Sequence, residues 1–248
     1  MSSSLNIVLF GQTGSGKSSV VNLIAGSQIA GVSNRADGCT LSSKRYTLHV
    51  NGRTFHIWDT VGLDEPDMEL RAIEGACDLI HQLTSQGGVD LFIFCIRAPR
   101  STAVLQAYYR LFYEVLGRSS VPIASVITHL EQEVDMEKWW ERNAKQLEKV
   151  GLKFAGHACV TGLPNHIKYQ ESQVKIRRLL ESHNGDGRFN MPPEARLVEF
   201  SRLFGLFSPL KGESRRKEIM EVLMKRCGID GWMAEELAVK LDAGLGAY

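Results

Sequence analysis

The chain has 248 residues, 44% of them hydrophobic and 23% charged, and its 29 Lys and Arg nearly balance its 28 Asp and Glu. Such a composition suits one medium domain with a full core and room for an added lobe. Its even charge gives no reason to expect nucleic acid or anionic lipid as a partner. The five scattered cysteines include no C-x-x-C pair, which argues against a disulfide framework and a zinc site.

The N-terminal "MSSSLNIVLF" lacks a basic segment followed by a signal-length apolar region, and no stretch approaches the ~18 apolar residues of a membrane span. The expected location is cytoplasmic, with no membrane association unless a partner supplies it. In chain order, "LNIVLF" (5–10) predicts a strand and "GKSSVVNLIAG" (16–26) a helix ended by glycine. After a polar stretch (27–43), "KRYTLHV" and "RTFHIWD" predict two antiparallel strands joined by Asn51-Gly52, a dipeptide suited to the two positive φ angles of a tight hairpin.

From there helices and strands alternate. A helix is expected near 69–86, a strand at 89–96, a helix near 102–117, a strand at 121–128 and a helix near 135–150. A strand at 152–160 and a helix near 168–183 complete the series. Strands separated by crossover-length helices imply an α/β fold: a mainly parallel sheet with helices on both faces, the early hairpin adding one antiparallel edge strand. "NGDGRFNMPP" (184–193) breaks the rhythm, so the chain divides into a domain at 1–188 and a C-terminal helical extension at 189–248.

The decisive motif lies between the first strand and the first helix. "GQTGSGKS" (11–18) fits G-x-x-x-x-G-K-[ST], the phosphate-binding P-loop, in the strand–loop–helix context that such a match requires. Its glycines let successive N–H groups of Gln12, Thr13, Gly14, Ser15 and Gly16 point inward, making an anion cradle at a helix N-terminus. Lys17 is placed to reach the β and γ phosphates, Ser18 to ligate a bridging Mg2+, and Ser19 to touch the α phosphate.

A second piece, "DTVG" (59–62), ends the third predicted strand. Asp59 falls at a strand tip where a carboxylate can hold the magnesium shell, and Gly62 can offer its N–H to the γ phosphate. In the loop between the two motifs Thr40 is the choice for completing metal coordination and sensing the γ phosphate, with Ser33, Ser42 and Ser43 in competition.

Base choice is expected at Thr128-His129-Leu130-Glu131. A carboxylate at Glu131 accepts hydrogen bonds from guanine N1–H and the 2-amino group, which adenine does not offer, and His129 can stack on the base. Stranding that carboxylate without donors costs about 1–3 kcal/mol, enough to disfavour adenine.

The set "GQTGSGKSSVVN", "GCT", "DTVGLD" and "VITHLEQE" resembles the Ras-like GTPases. Within them it is most similar to the septin-related branch of immunity-associated GTPases and plastid outer-envelope import receptors. The resemblance covers about 5–183 and implies the guanine-nucleotide fold, Mg2+, and GTP as substrate with GDP as product. It leaves the helical tail uncovered. Thr161 and Asn165, near "CVTGLPN", are candidates for the last base-contacting loop.

Where Ras-like enzymes place a water-orienting glutamine this chain has Leu63, so intrinsic hydrolysis should be slow. A compensating group must come from a backbone contact, a switch-loop side chain such as Arg35, or an arginine inserted across a dimer face. An arginine so supplied is worth about 10³–10⁵ in rate. Arg97 and Arg100 lie at a strand end on the ligand rim and are interface candidates.

The resemblance favours a nucleotide-dependent homodimer acting on an unidentified effector protein. The alternatives are a nucleotide-gated assembly or scaffold module with little hydrolysis, and an ATP-binding P-loop protein. Trp139-Trp140 and "YYRLFY" (108–113) read as packing, Arg177-Arg178 and "SRRK" (214–217) as solvated helix faces, and His49 and His56 as unsuited to a metal.

Overall fold

A computed structural model describes residues 4–31, 43–62, 75–76, 78–80, 82–83, 86–98, 102–117, 120–183, 212–227 and 229–246. Its centre is a six-stranded sheet with the order β2-β3-β1-β4-β5-β6. The strands are β1 (Leu5–Phe10), β2 (Lys44–Val50), β3 (Arg53–Asp59), β4 (Leu91–Arg97), β5 (Ile123–Thr128) and β6 (Gly156–Cys159). All neighbouring pairs are parallel except β2–β3, the expected antiparallel edge. Asn51 and Gly52 make that turn with φ of 48° and 76°, the left-handed pair that an Asn-Gly hairpin adopts.

The central strands are apolar on both faces because helices cover both faces. One layer holds α1 (Lys17–Ala25) and α4 (Tyr169–Glu181), whose Val20, Leu23, Ile24, Ile176 and Leu180 pack on Leu9, Ile93 and Val126. The other holds α2 (Thr102–Arg110), the segment 111–116 that prolongs it, and α3 (Glu137–Lys149). Phe10 at the tip of β1 stacks on Phe94 at 4.5 Å and on Phe112 at 3.8 Å between ring centroids. Each such fully buried ring contributes about 1.5–3 kcal/mol.

Sequence periodicity cannot show that α2 loosens into a π-helix over Leu111–Leu116, closed by the Gly117 N–H donating to Phe112 O at 2.7 Å. Gly117 sits where a Cβ would lie 2.6 Å from the Phe92 ring. The wider turn and the bare Gly117 together leave room for the Phe92 and Phe112 rings. The predicted strand at 152–160 shortens to β6: pairing with β5 begins where the Ala155 N–H donates to Ile123 O at 2.7 Å, while Leu152 is buried against the helical side.

"YYRLFY" supplies buried Tyr108, Tyr109 and Phe112, and Trp140 stacks on His157, so the packing reading of both aromatic groups holds. Arg177 departs from the solvated reading: its Nε donates to Ile24 O at 3.1 Å, tying α4 to the end of α1. In the C-terminal region, α5 (Glu213–Cys227) and α6 (Gly231–Gly246) send Ile219, Leu223, Met233 and Leu237 into the same apolar cluster as α2. The boundary at 188/189 lies outside the described residues.

Candidate nucleotide site

The topology brings the C-terminal tips of β1, β3, β4 and β5 to one rim. Residues 11–16 leave β1 there and turn into α1, whose N-cap Gly16 has φ 87°. The ammonium of Lys17, 8% exposed, folds over the loop and donates to Gly11 O at 2.9 Å and Gln12 O at 3.0 Å. It is thus held over the concave side of its own loop, where a polyanion would meet it.

One helical position on, Ser18 Oγ donates to Asp59 Oδ2 at 2.8 Å, joining the two motifs that the sequence separates by 41 positions. The other carboxylate oxygen, Oδ1, is buried and has no hydrogen-bond partner among the described residues. Burial pushes the Asp59 carboxyl above its ordinary value, and the opposing pulls of Lys17, Ser18 and Lys44 do not reverse that. A hydroxyl and a half-orphaned carboxylate form a hard-oxygen donor pair of the kind Mg2+ takes when phosphate oxygens complete its shell. The residues present therefore fit the ion.

Gly62 lies against the loop so closely that a Cβ would stand 2.3 Å from Thr13 Oγ1, 2.6 Å from Thr13 Cα and 2.7 Å from Thr13 N. Only a glycine lets the "DTVG" backbone approach the phosphate loop in this way. Thr60 ties the same segment to β1, its Oγ1 donating to Leu9 O at 2.8 Å. Arg97 at the end of β4 brings Nη1 to 3.7 Å from where a Cβ at Gly14 would stand, so this arginine borders its own phosphate loop.

The segment expected to meet the base joins the rim through Thr128. Its buried hydroxyl donates to Ser15 O at 2.8 Å and stands 2.9 Å from His129 Nδ1. His129 has φ 61°, a left-handed conformation that costs a non-glycine residue about 1–2 kcal/mol and so points to a local demand on its placement. Glu131 accepts from Thr161 Oγ1 at 3.3 Å. Thr161 is itself fixed by its N–H donating to Ser172 Oγ at 3.0 Å. Gly162 touches Ser19, where a Cβ would lie 2.7 Å from Ser19 Cβ, and this closes the loop of 161–165 onto the start of α1.

The structure thus gathers Gln12 to Ser19, Asp59, Gly62, His129, Glu131 and Thr161 along one rim. Asn165 lies in the same loop as Thr161, with no contact that fixes a role. Thr40, Arg35, Ser33, Ser42, Leu63 and Arg100 lie outside the described residues; Ser43 is described and half-buried. Two organising residues receive no role of their own from sequence reasoning, although Thr128 stands within the expected base motif. Thr128 has the signal of a hydroxyl at a strand end before the base motif; Ser172, inside a helix, carries none.

Residues 6–129, half of the chain, match the family model described as 50S ribosome-binding GTPase. The chain belongs to this GTPase family. Among curated proteins, the tRNA modification GTPase MnmE of Actinobacillus pleuropneumoniae serotype 5b (strain L20) is 31% identical over 134 residues, 53% of this chain and 27% of that protein. The chain spans less than a third of the length of such relatives.

Among solved structures, one reported under the statement that dimerization is important for the GTPase activity of chloroplast translocon components atToc33 and psToc159 has a TM-score of 0.55 and 19% identity. It covers 76% of this chain and 84% of its own. Toc33 from Arabidopsis thaliana in complex with GDP and Mg2+ gives 0.53 and 18%, covering 75% and 85%. At these identities the likeness is one of fold: a G domain on a mainly parallel six-stranded sheet. As a member of this GTPase family, the chain is a GTP-binding G-domain protein.

Proposed function

We propose that the chain is a magnesium-dependent GTPase of the septin-related branch that hydrolyses GTP to GDP slowly alone and faster when two copies pair across their nucleotide faces. The observation that carries the reading is the Ser18–Asp59 bond at 2.8 Å beside Lys17, a hydroxyl, a carboxylate and an ammonium around one main-chain cradle. Lys17 would hold the β and γ phosphates, and Ser18 and Asp59, with Thr40 from the preceding loop, would hold Mg2+. The ion supplies neutralisation of the charge shared by the transferring phosphoryl oxygens.

Gly62 would present its N–H to the γ phosphate, which makes 59–62 sensitive to its loss. Asn22 anchors the start of the 27–43 loop, accepting from the N–H groups of Ile29 and Ala30 at 2.9 and 2.8 Å, so a change beyond residue 31 has a fixed base to work from. Glu131 selects guanine, His129 stacks on the base, and Thr161 orients the carboxylate. Leu63 cannot orient a water molecule, which leaves Arg35, or Arg97 and Arg100 at the face between two copies, to stabilise the developing charge.

Pairing across this face has support beside the base loops, where Val134 is 95% and Ile167 91% exposed, while Lys168 Nζ donates to Glu133 O and holds the two loops together. Single-turnover phosphate release over a range of protein concentrations tests the reading. Turnover per molecule should rise with concentration, and Arg97→Ala should flatten the rise. A second reading, a GTP-gated assembly module with little hydrolysis, is favoured by Leu63. It would be supported by negligible release at every concentration with tight GTP binding retained, and ATP competing as well as GTP would displace both readings.

A further inference from the structure

At the end of the sheet far from the hairpin, β6 is the last strand, with no neighbour on its outer side among the described residues. A cleft of about 310 Å³ opens there, between the start of α3 and the C-terminal half of α4. Its apolar lining is Ala158 and Leu179, and its charged and titratable lining is Glu137, His157, Lys175 and Arg178. None of these residues belongs to the nucleotide rim. Gly156 adds no side chain to the cleft, and a Cβ there would already stand 2.8 Å from Leu179 Cδ1.

Most polar groups of the cleft are spent on one another. His157 Nε2 pairs with Glu137 Oε1, and its ring stacks on Trp140 at 4.1 Å with 7° between the planes. Lys175 Nζ stands 3.5 Å from Glu137 Oε2 and 2.9 Å from Glu171 Oε1, and the Ser182 hydroxyl donates to Leu179 O at 2.8 Å. Arg178 is different. It lines the same cleft and is exposed, yet its guanidinium joins no carboxylate of the described residues. With a neutral imidazole, Lys175 and Arg178 against Glu137 leave the lining one positive charge in excess.

We propose that this cleft binds a small organic monocarboxylate, its carboxylate held by the fork of Arg178 and its apolar part laid on Ala158 and Leu179. A planar guanidinium presents two parallel donors to such a group, which fixes orientation as well as adding energy. The volume falls at the lower end of small-ligand sites, about 300–1,000 Å³, which combine apolar lining with a few placed polar groups. Charge decides between ligand classes. One negative charge balances the lining, whereas a phosphate dianion would set its second charge against Glu137 and the nearby Glu171. Glu137, His157 and Trp140 already hold one another, so this wall needs little rearrangement on binding. The inference goes beyond the nucleotide reading and does not depend on it.

The test follows amide NMR signals of the full chain through titrations with benzoate, acetate, neutral benzamide and phenyl phosphate. Benzoate should shift the signals of 156–158 and 175–182 to saturation and bind more tightly than acetate, which lacks the apolar part. Read from the same signals, benzamide and phenyl phosphate should each bind about tenfold more weakly than benzoate or worse. Arg178→Ala should weaken benzoate about tenfold with the rest of the spectrum native, and Arg178→Lys, which keeps the charge and loses the fork, about threefold. Lys17→Ala should bind benzoate as the native chain does, so a failure of the nucleotide reading cannot be confused with a failure here. No saturable shift at these positions with benzoate, equal binding of benzamide, tighter binding of phenyl phosphate, or indifference to Arg178→Ala would each overturn the proposal.

Discussion

The phosphate end and the base end of the rim are built on different principles. At the proposed phosphate end the candidate recognising groups are consecutive in the chain, six residues of loop followed by Lys17 and Ser18, with one distant carboxylate brought to them by the β1–β3 pairing. At the base end almost every contact is between elements distant in sequence: Thr128 with Ser15, Glu131 with Thr161, Thr161 with Ser172, Gly162 with Ser19. A local motif can tolerate drift elsewhere in the fold because its geometry is set by its own backbone. A composite one holds its shape only while β5, β6 and α4 keep their mutual register.

The sharpest way to break the contrast is Lys17→Ala. Charge-assisted hydrogen bonds contribute about 1.5–3 kcal/mol each, so the variant should bind a labelled GTP analogue roughly a hundredfold more weakly while circular dichroism shows the fold retained. Unchanged affinity would mean that the phosphates are not held at this end. Next in size is Gly62→Ala. The new methyl would overlap the Thr13 main chain, and overpacking of this kind costs about 1–3 kcal/mol. The strain falls on the contact proposed to read the γ phosphate, so the preference for triphosphate over GDP should shrink by about tenfold while GDP affinity changes little. An equal loss for both nucleotides would place the damage in the cradle as a whole.

At the base end the expected effect is smaller and of a different kind. Glu131→Gln keeps size and the partner Thr161 but replaces a double acceptor by a group with one acceptor and one donor. The ratio of GTP to ATP affinity should fall by about tenfold, within the 1–3 kcal/mol that an unsatisfied polar group costs, with total phosphate-dependent binding preserved. A ratio that stays fixed would remove Glu131 from base selection and leave His129 or the 161–165 loop to account for it.

The same division between local and composite geometry decides which features are legible in the amino-acid sequence. The alternation of strands and helices over the described residues, the Asn51-Gly52 turn and the loop of 11–18 are local patterns, and apart from the shortened β6 each appears where periodicity and turn chemistry put it. Asp59 is legible because a strand tip three residues before a glycine leaves few places for a carboxylate to go. Ser172 is not, since nothing in "YQESQVKIRRLLE" distinguishes a serine that supports Thr161 from one that faces solvent. Arg177 is misread for the same reason: a basic pair on a helix reads as solvated unless the neighbouring helix end is known. The π-turn after α2 follows from the fit of Phe112 against Phe10 and Phe92, a three-body packing fact that no one-dimensional period encodes.

The smallest expected effect separates stability from function within the phosphate end. Burial holds the Asp59 carboxyl above its ordinary value despite Lys17, Ser18 and Lys44, so the folded chain keeps this proton at a pH where the unfolded chain has released it. Stability from this group is therefore greatest below the ordinary aspartate range, about 4, and is lost as pH rises through the raised value. Once the pH has risen through that raised value, the ionised carboxylate, with Oδ1 buried and unpartnered among the described residues, is a cost to the nucleotide-free protein. Asp59→Asn should remove that cost, raising the melting temperature of the free protein at pH 7 by the equivalent of about 1 kcal/mol and flattening its rise toward acid. It should also reduce the further rise produced by adding Mg2+ with a GTP analogue, since a neutral amide is a poorer ligand for a hard divalent ion. Melting curves at pH 5 and 7, with and without ion and nucleotide, read both signs in one experiment. A variant less stable than the native chain when free would show that Asp59 is held by its neighbours rather than merely tolerated for the ion it is proposed to hold.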